Sequence, residues 1–341
     1  INMAKRAMEA DATASKSSRA EGDPVGVESA PSDEDYFQAY DQLEVHALML
    51  RDSQRVASYL AAIRLHKAAI ENKVVLDVGA GSGVLSMLAA KHGGAQHVYA
   101  VEAVPGMAAL ARKLVQSNGL DKHVTVIHSR VEDIELPGRV DVIISEWMGF
   151  YLLHESMLES VLLARDRWLK PEGLLLPSTA RIFAAPVDAE ELRKEVEGYS
   201  DLFGLDLGPV GEERLASQAS EPRVESLEPR RLLSEPVLAF DLGDLHKLPL
   251  TSTREMMAQL SWTTWRSGHA AGIAFWFDVG FGREGGISLK TDPGSPPTHW
   301  QQTVVYLGVF AAVEAGELLE AQVSLKQSEA NPRQYDISVE T

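Results

Sequence analysis

The segment Val75-Leu76-Asp77-Val78-Gly79-Ala80-Gly81-Ser82-Gly83 constrains the fold more than any other stretch of the chain. A short apolar run, 73–78, leads into three alternating glycines and then an apolar helix that the spacing carries to about His92. Glycine tolerates positive φ and lets backbone come close to a ligand, and a strand that turns directly into a helix starts a strand–helix–strand unit. The unit repeats. Residues 97–102 (HVYAVE) read as a second strand, Pro105 suits the first turn of the next helix, and Asn118 and Gly119 suit its end. Apolar runs at 123–128 and 140–145 continue the alternation, which predicts an α/β domain with a parallel, doubly wound sheet. A helix from about Ser53 precedes it, with Asp52 or Ser53 as N-cap and Val56, Tyr59, Leu60 and Ile63 at helical spacing.

After Pro177 the pattern changes. Residues 236–241, 257–265, 271–280, 301–311, 317–325 and 333–340 have strand-like composition between Gly, Pro and Asp clusters, which predicts an all-β sandwich or barrel. Residues 190–232 read as a charged, helical excursion interrupted by YSDLFGLDLGPVG. Residues 1–34 lack hydrophobic periodicity and read as a disordered tail. The expected division is therefore a tail at 1–34, a ligand-binding domain at 35–177 and a β-rich domain at 178–341.

Composition narrows the chemistry. With no cysteine, the chain has no disulfide, no thiolate nucleophile, no Cys-ligated zinc and no iron–sulfur cluster. Reaction chemistry must come from carboxylates, histidines, hydroxyls or a bound cofactor, and no metal site is expected. No apolar run is long enough to span a bilayer and no signal-like segment opens the chain, so a soluble, intracellular protein without membrane contact is expected, cytoplasmic or nuclear. The 49 acidic against 32 basic residues, a formal net charge of −17, argue against direct nucleic-acid binding and favour cationic ligands or protein segments.

Two sites stand out. The glycine spacing is GxGxG rather than the dinucleotide GxGxxG, which argues against a phosphate cradle and for a loop packed on a sulfonium nucleoside. Glu102, at the end of the second strand, is placed to accept hydrogen bonds from ribose hydroxyls. A tight strand–helix connection and a solvated strand end would use the same residues. Further on, Glu146 and Glu155 bracket an apolar loop, SEWMGFYLLHESM, that begins where the fourth strand ends. Two acids in such a setting suit a cation delivered by the substrate, which offsets their desolvation. Glu155 also suits a helix start on dipole grounds alone.

At this point the sequence resembles the protein arginine methyltransferases, in particular their type I-like members. SEWMGFYLLHESML is similar to the family's double-glutamate loop, and LDVGAGSGVLSMLAAK to its S-adenosylmethionine-binding turn. Tyr36 to Tyr40, His46 to Arg55 and Thr298-His299-Trp300 resemble three further family motifs, in the family's order, and the similarity covers about 35 to 341. The resemblance implies a Rossmann-like methyltransferase domain followed by a β-barrel-like domain, with residues 190–220 as a dimerisation arm and a homodimer as the assembly. It implies S-adenosylmethionine as cofactor, leaving as S-adenosylhomocysteine, and Arg-rich proteins as substrates, with monomethyl and asymmetric dimethyl products.

By the same resemblance, Arg55 pairs with the cofactor carboxylate, Gly79 and Gly81 approach its amino-acid part with Asp77 nearby, Glu102 holds the ribose, and Val131 and Glu132 meet the adenine. His46 and Met49 flank the cofactor, and Tyr36 and Tyr40 close over it. Glu146 and Glu155 hold the guanidinium, His299 pairs with Asp52, and Met157 and Trp300 border the substrate. Each has a plainer role open to it. Tyr36 and Tyr40, four apart, suit one helix face packed in a core. Asp52 suits an N-cap, Arg55 a solvated helix residue, His299 a loop contact, and Met49 and Met157 apolar filler. Three competing functions are a non-catalytic methyltransferase-like partner subunit, a methyltransferase acting on a small molecule or nucleic acid, and an NAD-dependent dehydrogenase. The intact turn and glutamates disfavour the first, the paired carboxylates the second and the glycine spacing the third.

Overall fold

In the computed structural model of the chain the described residues are 49–282 and 286–341. The tail expected at 1–34, and the candidate residues Tyr36, Tyr40 and His46, lie outside them.

Helix α1 (Ser53–Leu65) begins on the Asp52 N-cap, whose Oδ1 accepts the Arg55 amide at 2.9 Å. Strands β1 (Val74–Val78), β2 (His97–Glu102), β3 (Val124–His128), β4 (Val140–Ser145) and β5 (Leu169–Leu176) form one sheet in the order β3-β2-β1-β4-β5. All its pairs are parallel. Helices α2 (Val84–Leu88), α3 (Pro105–Ser117) and α4 (Met157–Trp168) lie among these strands in sequence. The chain runs outward from β1 through β2 to β3, then returns to β4 on the other side of β1. This reversal opens a crevice outside the carboxyl ends of β1 and β4, where ligands of open α/β sheets bind. Val78 and Ser145 are paired at that edge, and the Ser145 hydroxyl donates to the Val78 carbonyl at 2.7 Å.

The first four strands follow the apolar runs closely. β5 was not anticipated, because Lys170-Pro171-Glu172-Gly173 interrupts its hydrophobic pattern. The strand lies at the sheet edge, where a proline without an amide hydrogen is tolerated.

The second half is antiparallel. Strands β6 (Thr179–Asp188), β7 (Arg223–Glu225), β8 (Val237–Asp244), β9 (Glu255–Thr263), β10 (Gly268–Phe281), β11 (Ile287–Lys290), β12 (Gln302–Val313), β13 (Leu318–Gln327) and β14 (Tyr335–Glu340) build two sheets. One has the order β7-β12-β10-β6-β8 with β11 beside β10, and the other is β14-β13-β9. Along β9 and β13 alternate residues turn inward, burying Leu260, Trp262, Leu319, Val323 and Leu325. β6 has no such alternation because most of it is buried on both faces. Its Pro186 is in register with Ile273 of β10, but its carbonyl turns the other way and accepts the Leu233 amide at 3.0 Å, beyond Ala184, the last residue paired with β8, so the missing amide costs no ladder bond.

One hydrophobic core runs through both halves, joining Ile143 and Leu158 to Phe275, Trp262 and Leu325. α1 spans them: the Tyr59 ring meets Phe281 edge-on at 4.8 Å, and its hydroxyl donates to the Ser145 carbonyl at 2.8 Å. The excursion after β6 carries the α-helices α5 (Glu190–Gly198) and α6 (Gly208–Ala219) and short 3₁₀ turns at Tyr199–Asp201 and Pro229–Arg231, while residues 223–225 return to a strand. α5 buries none of its residues, and Phe203, in the turn between the helices, is 95% exposed. None of the described helices is long and apolar enough to cross a membrane.

Candidate active site

The crevice deepens into a cavity of about 390 Å³ bounded by the glycine turn, the ends of β2 and β4, the 146–157 loop, the start of α1 and His299-Trp300. Its size and largely apolar lining suit a nucleoside-sized ligand held by a few polar groups.

Gly79, Gly81 and Gly83 have φ of 70°, 53° and 77°, which a residue with a Cβ rarely adopts. The amides of this turn are largely spent. Gly79 and Ala80 donate to the Val101 carbonyl at 3.0 and 2.9 Å, Gly83 donates to the Ala80 carbonyl at 2.8 Å, and Gly81 donates to Glu102 Oε2 at 2.7 Å. A phosphate cradle needs such amides pointing at the ligand. The turn instead presents backbone and a carboxylate. The other Glu102 oxygen accepts the Val104 amide at 2.7 Å, which fixes the carboxylate at the cavity wall with acceptor capacity left for ligand hydroxyls.

Asp77 departs from its expected place near the ligand. It does not line the cavity: its carboxylate lies behind the turn and accepts the Ser86 hydroxyl at 2.6 Å. Burial pushes this carboxyl up to about 7 despite the Ser86 hydrogen bonds. The cause is strand alternation, which sends the side chains of Asp77 and Val78 to opposite faces of β1.

At the far end, Val131 and Glu132 line the cavity on a short 3₁₀ turn after β3. Ser160, on α4, donates to Glu132 Oε1 at 2.6 Å, orienting the carboxylate. Ser160 had no signal in the sequence, being 28 residues from its partner.

The 146–157 loop is tightly wound. Gly149 and Leu152 exchange backbone hydrogen bonds at 3.1 and 3.0 Å, and a Cβ on Gly149 would overlap the His154 carbonyl. Tyr151, Leu152, Glu155 and Ser156 all have positive φ. Such backbone strain in non-glycine residues gathers where surrounding structure enforces a geometry. Glu146 is held by Arg55, whose Nε donates to Oε2 at 2.9 Å, with both side chains 9% exposed. Arg55 also donates from Nη1 to the Met49 carbonyl at 3.0 Å. No spacing in the sequence points to the Arg55–Glu146 pair; the family resemblance places Arg55 on the cofactor carboxylate. Glu155 lines the same cavity, as do Met49 and Met157. A Cβ on Gly79 would come within 2.5 Å of the Met157 methyl, so that side chain packs directly on the glycine turn.

Across the cavity, Asp52 Oδ2 accepts both the His299 amide at 2.9 Å and its Nδ1 at 2.7 Å. Burial pushes the Asp52 carboxyl up, but the hydrogen bonds from His299 and the Arg55 amide outweigh it and hold the group below the usual carboxylate value. Asp52 therefore caps α1 with one oxygen and anchors the His299 loop with the other. Asp52 itself does not face the cavity; His299 and Trp300 do. The Trp300 indole donates to the Met148 carbonyl at 2.8 Å, tying that loop to the glutamate loop. Arg333, from the turn between β13 and β14, also reaches the cavity and was not anticipated.

The cavity thus brings together Met49, Arg55, Gly79, Gly81, Glu102, Val131, Glu132, Glu146, Glu155, Met157, His299 and Trp300. A sulfonium nucleoside fits this donor set: fixed carboxylates for hydroxyls, apolar walls, a turn whose amides are largely spent within the protein, and two acids, Glu146 and Glu155, in the cavity wall for a cation.

Comparison with known proteins agrees. Residues 178–341 match the arginine methyltransferase oligomerization subdomain, and residues 75–173 match a methyltransferase domain. Probable protein arginine N-methyltransferase 6.1 of Oryza sativa subsp. indica is 37% identical over 338 residues, covering 91% of this chain and 88% of the relative. Protein arginine N-methyltransferase 6 of Xenopus tropicalis is 38% identical over 310 residues, covering 90% of each. Among solved structures, protein arginine methyltransferase 10 of Arabidopsis thaliana superposes with a TM-score of 0.79 at 35% identity, over 89% of this chain and 94% of that one. The Trypanosoma brucei PRMT1 enzyme-prozyme heterotetrameric complex with AdoHcy gives 0.78 at 32% identity, over 88% and 93%. This chain belongs to the protein arginine N-methyltransferase family.

Proposed function

We propose that Glu146 and Glu155 hold the acceptor guanidinium during S-adenosylmethionine-dependent methylation of protein arginines, the activity that membership of this family gives the chain. The observation that carries the assignment is that Glu146 already binds one guanidinium, that of Arg55, at 2.9 Å inside the cavity that Glu155 also lines. Arg55, Glu102 and the Gly79–Gly81 backbone hold the amino-acid and ribose parts of the cofactor, and Val131 and Glu132 hold its base. When bound, the cofactor supplies an electrophilic methyl group on a sulfonium.

A guanidinium is a poor nucleophile because its charge is delocalised over three nitrogens. Two fixed carboxylates localise that charge on the nitrogens they bind and leave electron density on the one facing the methyl. Most of the rate gain then comes from positioning and preorganised electrostatics. Methyl transfer to a guanidinium gives a dication, which returns to a single positive charge by losing one proton to Glu155 or to His299 held by Asp52. Met49 and Met157 limit the room around the acceptor nitrogen, which favours monomethyl and asymmetric dimethyl products.

Arg-rich proteins are the substrates that the acidic surface and the site chemistry suit. Residues 35–177 serve as the cofactor domain and 178–341 as the substrate domain, and residues 190–220 form the arm of a homodimer. The match to an oligomerization subdomain and the exposed Phe203 support the dimer.

The test is labelled methyl transfer to a Gly/Arg-rich peptide. Glu155→Gln is expected to cut kcat by roughly 10²- to 10³-fold while S-adenosylhomocysteine affinity, measured by calorimetry, changes little. Normal turnover would remove Glu155 from the mechanism, and a symmetric dimethyl product by mass spectrometry would refute the product assignment alone.

A further inference from the structure

The turn between β13 and β14 lies about 180 residues beyond the glutamate loop in sequence, yet it closes directly on that loop. The Glu155 amide donates to the Arg333 carbonyl at 2.6 Å, and Arg333 Nη1 donates to the Glu155 carbonyl at 3.4 Å. The Ser156 hydroxyl donates to the Pro332 carbonyl at 2.5 Å. Gln327 Nε2 bridges the two partners, at 2.7 Å from the Pro332 carbonyl and 3.2 Å from Ser156 Oγ. The turn is itself prebuilt, with buried Asn331 accepting the Arg333 amide at its Oδ1 at 3.1 Å.

What this clamp grips is one of the two left-handed backbone pairs of the loop. Glu155 and Ser156 have φ of 75° and 54°, a left-handed pair that residues with a Cβ avoid unless their surroundings impose it. The conformation lies immediately before α4, whose first residue is Met157, and Glu155 itself lines the cavity. Released from the turn, these two residues would relax and the carboxylate would leave its place opposite Glu146.

We propose that Arg333 is a positioning residue for Glu155: with Pro332 and Gln327 it locks the left-handed Glu155–Ser156 backbone and thereby sets the carboxylate against the acceptor nitrogen. The proposal rests on the reading of Glu155 as an acceptor-holding group.

Steady-state methylation of a Gly/Arg-rich peptide by the full chain tests it, alongside S-adenosylhomocysteine affinity and thermal unfolding. Arg333→Ala is expected to lower kcat about tenfold or more, to leave S-adenosylhomocysteine affinity within about twofold, and to move peptide KM less than kcat. Arg333→Lys, which keeps a cation near the Glu155 carbonyl, is expected to recover at least several-fold of the loss. Unchanged kcat in a folded Arg333→Ala overturns the proposal, as does parallel loss of cofactor affinity, which would mark a merely structural role. If Arg333→Ala does not fold, Gln327→Ala removes only the side-chain bridge and is expected to lower kcat several-fold; full activity there also overturns it. Inactive Glu155→Gln beside fully active Arg333→Ala defeats this inference alone, whereas normal turnover in Glu155→Gln defeats the underlying reading.

Discussion

Replacing Glu146 by alanine and by glutamine is expected to separate what the residue does for stability from what it does for chemistry. Its contact with Arg55 is a 2.9 Å pair with both side chains 9% exposed, so solvent screens it little. Removing one partner of such a pair strands a buried charge, at about 3–5 kcal/mol. Arg55 keeps its hydrogen bond to the Met49 carbonyl, which places the alanine variant near about 3 kcal/mol at the lower end of that range. Glutamine retains an acceptor oxygen and loses only the difference between a charge-assisted and a neutral hydrogen bond, about 1 kcal/mol. The two variants should therefore differ by about 2 kcal/mol, roughly 30-fold in the unfolding equilibrium, in urea titrations at constant pH. Methyl transfer, by contrast, should fall by roughly 10²- to 10³-fold in both, because neither keeps the charge that localises the acceptor's. Equal stability of the two variants would refute the buried pair, and an active glutamine variant would refute the electrostatic role. Arg55→Ala is expected to impair peptide methylation as well as cofactor affinity, since it releases Glu146.

Three further outcomes are expected. Asp77 has its carboxyl raised to about 7 by burial, so the folded chain binds more protons than the unfolded one between about pH 4 and 7, and this residue removes stability as pH rises through that window. The stability of Asp77→Asn relative to the parent should grow across those values and level off above them; a difference that does not vary with pH would contradict this. Asp52 behaves in the opposite sense: its lowered carboxyl contributes stability above the ordinary carboxylate value of about 3.9, and that contribution is lost as pH falls through the folded value. The advantage of the parent over Asp52→Asn should accordingly shrink on acidification, and one that persists unchanged to low pH would argue against the His299 linkage. Phe203→Asp should shift sedimentation from dimer to monomer, and an unchanged dimer would exclude that contact.

The parts legible in the sequence are those written locally. Alternating glycines, apolar runs of strand length, Pro105 at a helix start and Asp52 as a cap each act within a few residues, and β1 to β4 and α1 follow from them. β5 and β6 escaped because Lys170-Pro171-Glu172-Gly173 interrupts the apolar run of the first and burial on both faces removes the alternation of the second. The site divides in the same way. Glu102 could be read from its distance to the glycine turn, whereas the Asp52–His299 contact, spanning 247 residues, came only through resemblance. Arg333, Ser160 and the Arg55–Glu146 pair are products of tertiary packing, and no spacing rule encodes them.

The shared core also limits how relatives can be recombined. A chimera joined at Pro177 exchanges the β-rich half as one length of chain. Yet α1, at the other end of the chain, rests on that half through Tyr59 against Phe281 and His66 near the Phe281 carbonyl at 3.2 Å. Arg165 of α4 likewise donates to the Leu245 and Leu248 carbonyls at 2.5 and 2.7 Å. A workable graft must carry α1 and the matching face of α4 with the β-rich half, so the exchangeable unit in this architecture is a discontinuous surface rather than a length of chain.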